Sequence, residues 1–534
     1  MSEEKRDNGQ QPVELPQEFI DMAGASIGME ALAIYLEHFN NTLNKTDEGN
    51  PQSGGNTITS IRINPAKTQN QHIRERFGHL LQNAERVPWC SNGYYLPQRP
   101  QFTLDPLLHC GAYYVQEASS MYMEKAFEAI SSNEPEFFNG NIKVLDLCAA
   151  PGGKSTHIAS LLNSNSLLVS NEVIKSRAVI LADNMSKWGA ENVVVTNNDP
   201  RDFKTLKEHF NLIVVDAPCS GEGMFIKDPA AIGEWSTANV ELCASRQKRI
   251  LQDIWGSLQE GGFLIYSTCT FNHFENDDNL LYIINELGAQ VIEVDFTAIS
   301  DKDSTAQTYS RQIIKTSAGG YQFVPGLVKG EGQYMAVVKK IDGEQDSQKK
   351  EDKEQKGRYV GNWKGNKKAQ KGKEQQNNNG LKGFTYMDAQ NYHFSLLGEM
   401  VKAYPKELAN DIKYIESSLR VISSGIAAAT VKGRDFIPHA DLALCVCYSI
   451  FINQAIAKEF ADEGTIEFKV PFTVVELTLE QALAFLSKDQ LTFENQPNGY
   501  LLLTYKGVPL GFVKNLGNRS NNLWPQARRI RMAH

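Results

Sequence analysis

Val144-Leu145-Asp146-Leu147-Cys148-Ala149-Ala150-Pro151-Gly152-Gly153-Lys154 is the stretch that decides the fold. An apolar strand ends at the aspartate, and two glycines then let the backbone close on a ligand. Lys154-Ser155-Thr156 opens a helix. A helix N-terminus supplies free N–H groups and positive dipole character, which suit a carboxylate or a phosphate. Neither the GxxxxGK spacing of a P-loop nor GxGxxG is present in this turn.

Outward from this turn, apolar runs alternate with helical stretches. Strands are expected at 142–148, 167–173, 193–199, 212–218 and 262–269, with weaker ones at 289–296 and 333–339. Helices fit at 154–163, 175–188 and 240–258. That alternation predicts an α/β fold with a doubly wound, mostly parallel sheet. Ligands of such sheets bind at the carboxyl ends of the strands. Glu172 ends the second strand, where an acid can accept both hydroxyls of a ribose; the plainer alternative is a structural turn with a chance acid. Asp199 ends the third strand. It can meet the exocyclic amine of an adenine or serve as an ordinary helix N-cap, and the pattern does not choose between them.

Two cysteines, 50 residues apart, lie at strand ends behind the turn. Cys219 stands in Asp216-Ala217-Pro218-Cys219-Ser220-Gly221, and Cys269 closes Phe263-Leu264-Ile265-Tyr266-Ser267-Thr268. A free cysteine is most often a small apolar residue. The loop position of Cys219 and the hydroxyls around Cys269 argue for reactive thiols instead. Asp216 is placed to contact a base or a cationic methyl donor. Cys445 and Cys447 lie in the apolar run 442–452 and are read as core. Cys90, Cys110 and Cys243 have no partner pattern. No CxxC pair or His/Cys cluster offers four ligands, so no metal site is expected.

At 534 residues the chain has room for about three or four domains. Its longest apolar run is too short to span a bilayer, and the polar N-terminus shows no secretory signal. Eight cysteines without regular spacing point to reduced thiols, hence a cytoplasmic protein with no membrane partner. Net charge is −9, which argues against a nonspecific nucleic-acid coat, yet 355–373 carries seven Lys/Arg and no acid and 505–534 carries six and no acid. In the latter, Tyr505, Phe512 and Trp524 interleave with Lys506, Lys514, Arg519, Arg528 and Arg529. Stacking plus charge is a way of holding single-stranded RNA. Residues 341–382, rich in Lys, Glu, Gln, Asn and Gly, read as a disordered linker. The domains expected are an N-terminal extension over 1–125, a catalytic domain over 126–340, the linker, an intermediate α+β domain over 383–465 and a β-rich module over 466–534.

Taken together, these segments resemble the Sun/Fmu family of RNA 5-methylcytosine methyltransferases. The resemblance rests on Ser60-Ile61-Arg62-Ile63-Asn64, Val115-Gln116-Glu117-Ala118-Ser119-Ser120, the 146–154 turn, Asp216 to Gly223 with Lys227-Asp228-Pro229, and Tyr266 to Thr270 with Asn272 and Glu275-Asn276. Further on, Ser423-Ser424-Gly425-Ile426, Phe436-Ile437-Pro438-His439 and Tyr505 to Gly511 resemble members with a C-terminal PUA-like module. The resemblance implies a Rossmann-like methyltransferase sheet flanked by an N-terminal α+β RNA-binding extension and that PUA-like module. It implies methyl transfer from S-adenosyl-L-methionine to carbon 5 of a cytosine in RNA, most simply small-subunit ribosomal RNA, by an enzyme favoured as a monomer. Cys148, Ala149, Ala150, Pro151, Gly152, Gly153, Lys154, Glu172, Asp199 and Asp216 would hold the cofactor or the base. Cys269 would be the nucleophile, with Cys219 aiding release and Asp216 acting on the ring. Transfer RNA or large-subunit RNA is the alternative substrate. A noncatalytic RNA-binding assembly factor has no need of two such thiols, and an NAD-dependent oxidoreductase does not account for them.

Overall fold

The computed structural model describes residues 13–43, 58–68, 75, 77–296, 312–341, 381–460 and 470–532. The expected linker over 341–382 falls outside these apart from its ends, and so does the whole basic run 355–373.

The centre is a ten-stranded sheet. Its strands are β1 (Lys143–Asp146), β2 (Leu167–Asn171), β3 (Val193–Thr196), β4 (Phe210–Asp216), β5 (Leu258–Thr268), β6 (Ala289–Ile292), β7 (Ile314–Lys315), β8 (Tyr321–Phe323), β9 (Gln333–Lys340) and β10 (Val421–Ser424). The order is β7-β8-β9-β5-β4-β1-β2-β3-β10, with β6 also pairing β9. Strands β3, β2, β1, β4 and β5 are mutually parallel, and β9 and β10 flank them antiparallel. The doubly wound expectation is thus borne out. Successive side chains point to opposite faces, and both faces are covered. Val144, Leu168, Val195, Leu212, Val214 and Ile265 pack with Ala126, Phe127 and Ile130 of the helix Met123–Asn133. Leu145, Val169, Val194, Ile213, Val215 and Leu264 pack with Ile250, Leu251 and Ile254 of the helix Thr237–Trp255. The strand order reverses between β1 and β4, so the crevice for a ligand lies outside their carboxyl ends.

The N-terminal segment forms helices Gln17–Ile27 and Met29–Leu43 and a four-stranded antiparallel sheet containing Thr59–Ile63 and Tyr113–Val115. Phe19 and Tyr35 of the helices meet Phe225 and Phe271 edge-on. These two phenylalanines lie on the loops that follow the two strand-end cysteines, so the extension helps to shape that end of the sheet.

The C-terminal half packs directly onto the catalytic sheet. Strand β10 extends the catalytic sheet from within 383–465, pairing Val421 with Thr196. Arg420 fixes the junction, its guanidinium donating to the Asn197 carbonyl at 2.7 and 2.9 Å. Ile412 and Ile415 of the helix Ala409–Ser418 join the core on the second face of the sheet. A further four-stranded sheet spans Tyr392–Leu397, Met400–Pro405, Ile426–Lys432 and Asp435–Pro438. The final module is another, of Thr473–Glu476, Gly499–Tyr505, Val508–Asn515 and Ser520–Asn522. Its core is continuous with Ile61 and Leu107 of the N-terminal region.

The reading of 505–534 as a stacking surface needs correction. Tyr505, Phe512 and Trp524 are buried in that shared core. The Arg528 side chain is largely covered too, donating to Asp183 at 2.6 Å and Asp441 at 2.9 Å. Tyr505 and Phe512 lie on strands buried almost throughout, and an arginine that reads as nucleic-acid binding became an ion pair within the fold. Lys514 and Arg519 remain at least partly accessible.

Candidate active site

The turn after β1 is held from outside. Arg177 donates to the Ala150 carbonyl and Asn184 to the Pro151 carbonyl, each at 2.8 Å. The Ala149 N–H donates to the Asn171 carbonyl at 2.8 Å. Gly152 sits at φ 116°, a left-handed conformation that a side chain would strain. The helix Gly153–Leu161 starts there, so its first N–H groups open at the strand ends. Beneath the turn Asp146 accepts from Ser155 Oγ at 2.6 Å through one oxygen, while the other is buried without a partner. Burial pushes Asp146 up to about 7.

Glu172, just past β2, accepts from the Ile174 N–H at 2.9 Å and lies 3.4 Å from Arg177. Asp199, past β3, is an N-cap: its carboxylate accepts from Arg201 N–H, in a capping box with Asp202. The ordinary role weighed for Asp199 is therefore present. It does not prevent the outer part of the carboxylate, a quarter exposed, from meeting a ligand.

Asp216 ends β4. It accepts from Ser267 Oγ at 2.7 Å and pairs with Lys154 Nζ at 2.9 Å. Burial pulls Lys154 down, but Asp216 outweighs it and the ammonium is held above the ordinary lysine range. Cys219 and Cys269 come together, Sγ to Sγ at 3.1 Å, with Cys269 N–H donating to Cys219 Sγ at 3.3 Å. The hydrogen bond with Cys269, then burial, then the Cys269 and Glu275 charges push Cys219 well above the ordinary thiol range. The sheet brings together Lys154, Asp216, Cys219 and Cys269 at the ends of β1, β4 and β5, one strand away from Glu172.

Three family models match the chain in order. The N-terminal domain of 16S rRNA methyltransferase RsmF matches residues 15–118, 16S rRNA methyltransferase RsmB/F matches 136–339, and the methyltransferase RsmF PUA domain matches 472–530. The chain belongs to the RsmB/F family of 16S rRNA methyltransferases. It is similar to ribosomal RNA small subunit methyltransferase F of Shewanella piezotolerans (strain WP3 / JCM 13877), 27% identical over 485 residues, covering 88% of this chain and 90% of that one. It is similar also to ribosomal RNA small subunit methyltransferase F of Aliivibrio fischeri (strain MJ11), 29% identical over 474 residues, covering 88% of this chain and 90% of that one. Among solved structures it is similar to NSun6 from Pyrococcus horikoshii with SFG, at 18% identity and a TM-score of 0.46, covering 61% of this chain and 98% of that one. The Sun/Fmu resemblance drawn from the motifs is borne out.

In this RsmB/F-family chain two buried carboxylates brace the cysteine loops, and sequence reasoning gave neither a role. Glu275 accepts from Ser220 N–H at 3.0 Å, Gln247 at 2.7 Å and Asn272 at 2.9 Å. Burial pushes it above its ordinary range. Glu222 accepts from the N–H groups of Phe271 and Asn272 and from Trp235 Nε1. Each carboxylate ties the Cys219 loop to the segment after Cys269. The available signal was the polar density of Phe271-Asn272-His273-Phe274-Glu275-Asn276 beside an apolar strand. Elsewhere, Cys90 with Glu124 and His157, and Cys445 and Cys447 with Glu191, each bring three ligand-type atoms together. Each is one short of the four that a closed structural zinc site takes.

Proposed function

We propose that this chain transfers a methyl group to carbon 5 of a cytosine in small-subunit ribosomal RNA through a covalent adduct on Cys269. That it is an S-adenosylmethionine-dependent rRNA methyltransferase follows from its family. The observation that carries the finer reading is the 3.1 Å approach of two thiols beside the Lys154–Asp216 pair.

The site fits the cofactor. The unpartnered Asp146 oxygen suits an amino group, the open helix N-terminus at Gly153 suits a carboxylate, and Glu172 suits a ribose. S-adenosylmethionine, when bound, supplies an electrophilic sulfonium methyl. Carbon 5 of cytosine is too poor a nucleophile to take it unaided. The Cys269 thiolate adds to carbon 6, and the electron pair of the 5,6 double bond moves to make carbon 5 enamine-like. Ring nitrogen 3, protonated from solvent as the thiolate adds, donates to the Asp216 carboxylate, which Lys154 holds in place at 2.9 Å.

Release falls to Cys219. With Cys269 bonded to carbon 6, Cys219, whose sulfur lies 3.1 Å from it in the free enzyme, gives its proton to solvent and acts as the base. It then takes the proton from carbon 5. The C–H electron pair restores the double bond and expels the Cys269 thiolate, and ring nitrogen 3 returns its proton to solvent. The target base must be unpaired or flipped to reach this depth. No helix among the described residues is long and apolar enough to cross a membrane, and we place the enzyme with its RNA in the cytoplasm.

Bisulfite mapping of cellular RNA with and without the gene tests the reading. Loss of 5-methylcytosine at a small-subunit position is expected. A change confined to transfer RNA or large-subunit RNA would move the substrate, and an unchanged map would overturn the reading.

A further inference from the structure

A cavity of about 370 Å³ opens between the N-terminal helices and the cysteine loops. Ligand pockets begin at about 300 Å³, so this one takes a single small group. Two of its lining residues belong to the catalytic framework. Gly223 donates its N–H to the Cys269 carbonyl at 2.9 Å. Gln116 lies against the cofactor-side turn, where a Cβ on Gly153 would come within 3.7 Å of it. The cavity is thus one residue's thickness from both the nucleophile loop and the cofactor turn.

The chain is built to present Glu331 here. Gly330 and Gly332 flank it in a passage too narrow for side chains. A Cβ on Gly330 would lie 2.3 Å from Ser119 Oγ, and one on Gly332 would lie 2.5 Å from the Phe271 ring. The Glu331 main chain is pinned at both ends, its N–H donating to Glu117 at 2.8 Å and its carbonyl accepting from Ser119 Oγ at 2.7 Å. One carboxylate oxygen pairs with Lys227 at 2.9 Å, and the other has no partner among the described residues. Burial, then the neighbouring Glu117 charge, push Glu331 up to about 7. Ile226 and Pro325 supply apolar wall. Lys227 is half exposed at the cavity's edge.

Resting on the methyltransferase reading above, we infer that this cavity takes an unpaired nucleobase neighbouring the target cytosine, one that carries an exocyclic amine, and that Glu331 reads it. Above about pH 7, where Glu331 is ionised, an amine donates to it. Uracil presents only carbonyls and a ring N–H, so it leaves the acceptor unmatched on its exocyclic edge. Apolar walls hold the ring faces and Lys227 the backbone, which is how unpaired RNA bases are commonly held.

The test uses the full-length enzyme and RNA oligonucleotides spanning the mapped cytosine, with each neighbouring position varied through every base. At one position uridine should lower kcat/KM about tenfold or more, mainly through KM. Glu331→Gln should erase that ratio while melting temperature and S-adenosylhomocysteine affinity stay unchanged. Equal use of uridine at every neighbouring position overturns the inference from the wild-type enzyme alone, and discrimination that persists in Glu331→Gln overturns the role of Glu331. Failure to methylate any oligonucleotide or ribosomal subunit overturns the functional reading itself. Methylation without base discrimination overturns only this subsite.

Discussion

Lys154 Nζ lies 2.9 Å from Asp216 Oδ2, so the turn after β1 and the end of β4 are joined by an ion pair at the mouth of the thiol pair. The pair crosses the point where the strand order reverses, and it couples the cofactor side of the cleft to the base side. Lys154→Met removes the cation and leaves the carboxylate without its partner. That carboxylate then loses the contact that fixes it against the base, and kcat/KM should fall about a hundredfold. A variant whose kcat/KM matches the wild type would show that the pair is structural only.

Glu172 is expected to govern cofactor affinity. A charge-assisted hydrogen bond contributes about 1.5–3 kcal/mol, and a ribose offers two hydroxyls. Glu172→Ala should weaken S-adenosylmethionine binding by tenfold or more on that scale. Calorimetry is the measurement, with S-adenosylhomocysteine as a second ligand. Unaltered affinity for both would remove Glu172 from the site.

Arg528 tests the docking of the C-terminal module. It bridges Asp183 of the helix Lys175–Trp188 and Asp441 of the helix Ala440–Leu444. Burial raises both carboxylates, but Arg528 with Lys187 for Asp183, and His439 with Arg528 for Asp441, outweigh it and hold both below their ordinary range. A group depressed on folding contributes stability above its unfolded value, about 3.9 for aspartate, and loses it as pH falls through the folded value. Arg528→Met should thus lower stability most at neutral pH. About 3 kcal/mol is the scale for breaking such a pair, toward the low end because Asp183 is partly exposed. The gap to wild type should close as pH falls below about 4. A gap that stays constant with pH would mean that packing, not charge, is lost.

That bridge also shows where the sequence was legible and where it was not. The parallel core could be read because Val144-Leu145, Leu167-Leu168-Val169, Val193-Val194-Val195 and Leu212 to Val215 are continuous apolar runs. Strands buried on both faces require such runs. The thiol pair could be read because each cysteine closes one of those runs. Strand β10 was not visible. Val421-Ile422-Ser423-Ser424 is short and half polar, and its partner β3 lies more than two hundred residues upstream, so its pairing is wholly tertiary. Phe512 and Trp524 stand in a basic, acid-free stretch, a composition that an RNA platform and a buried strand with its following turn share. Only the neighbouring core decided between them. The roles of Glu222 and Glu275 needed three-dimensional placement, because their partners are main-chain N–H groups on loops that close only in the fold.

The two cysteines are expected to fail in different ways. Cys269→Ala has no nucleophile, so it should form no adduct with RNA and transfer no methyl group. Cys219→Ala keeps the nucleophile and loses the base. It should still attack and methylate, then stall, because carbon 5 keeps its proton and the thioether cannot leave. A protein–RNA species that survives denaturing gels should accumulate with this variant and require S-adenosylmethionine to reach its methylated form. The asymmetry follows from the order of the steps, since the nucleophile acts before methyl transfer and the release residue, 3.1 Å away, acts after it. Cys219→Ser separates base from bulk, since a hydroxyl keeps the space but is a far weaker acid than a thiol; it should stall like alanine. A trapped species with Cys269→Ala and none with Cys219→Ala would reverse the roles. No trapped species with either would leave release to another base and remove Cys219 from the mechanism.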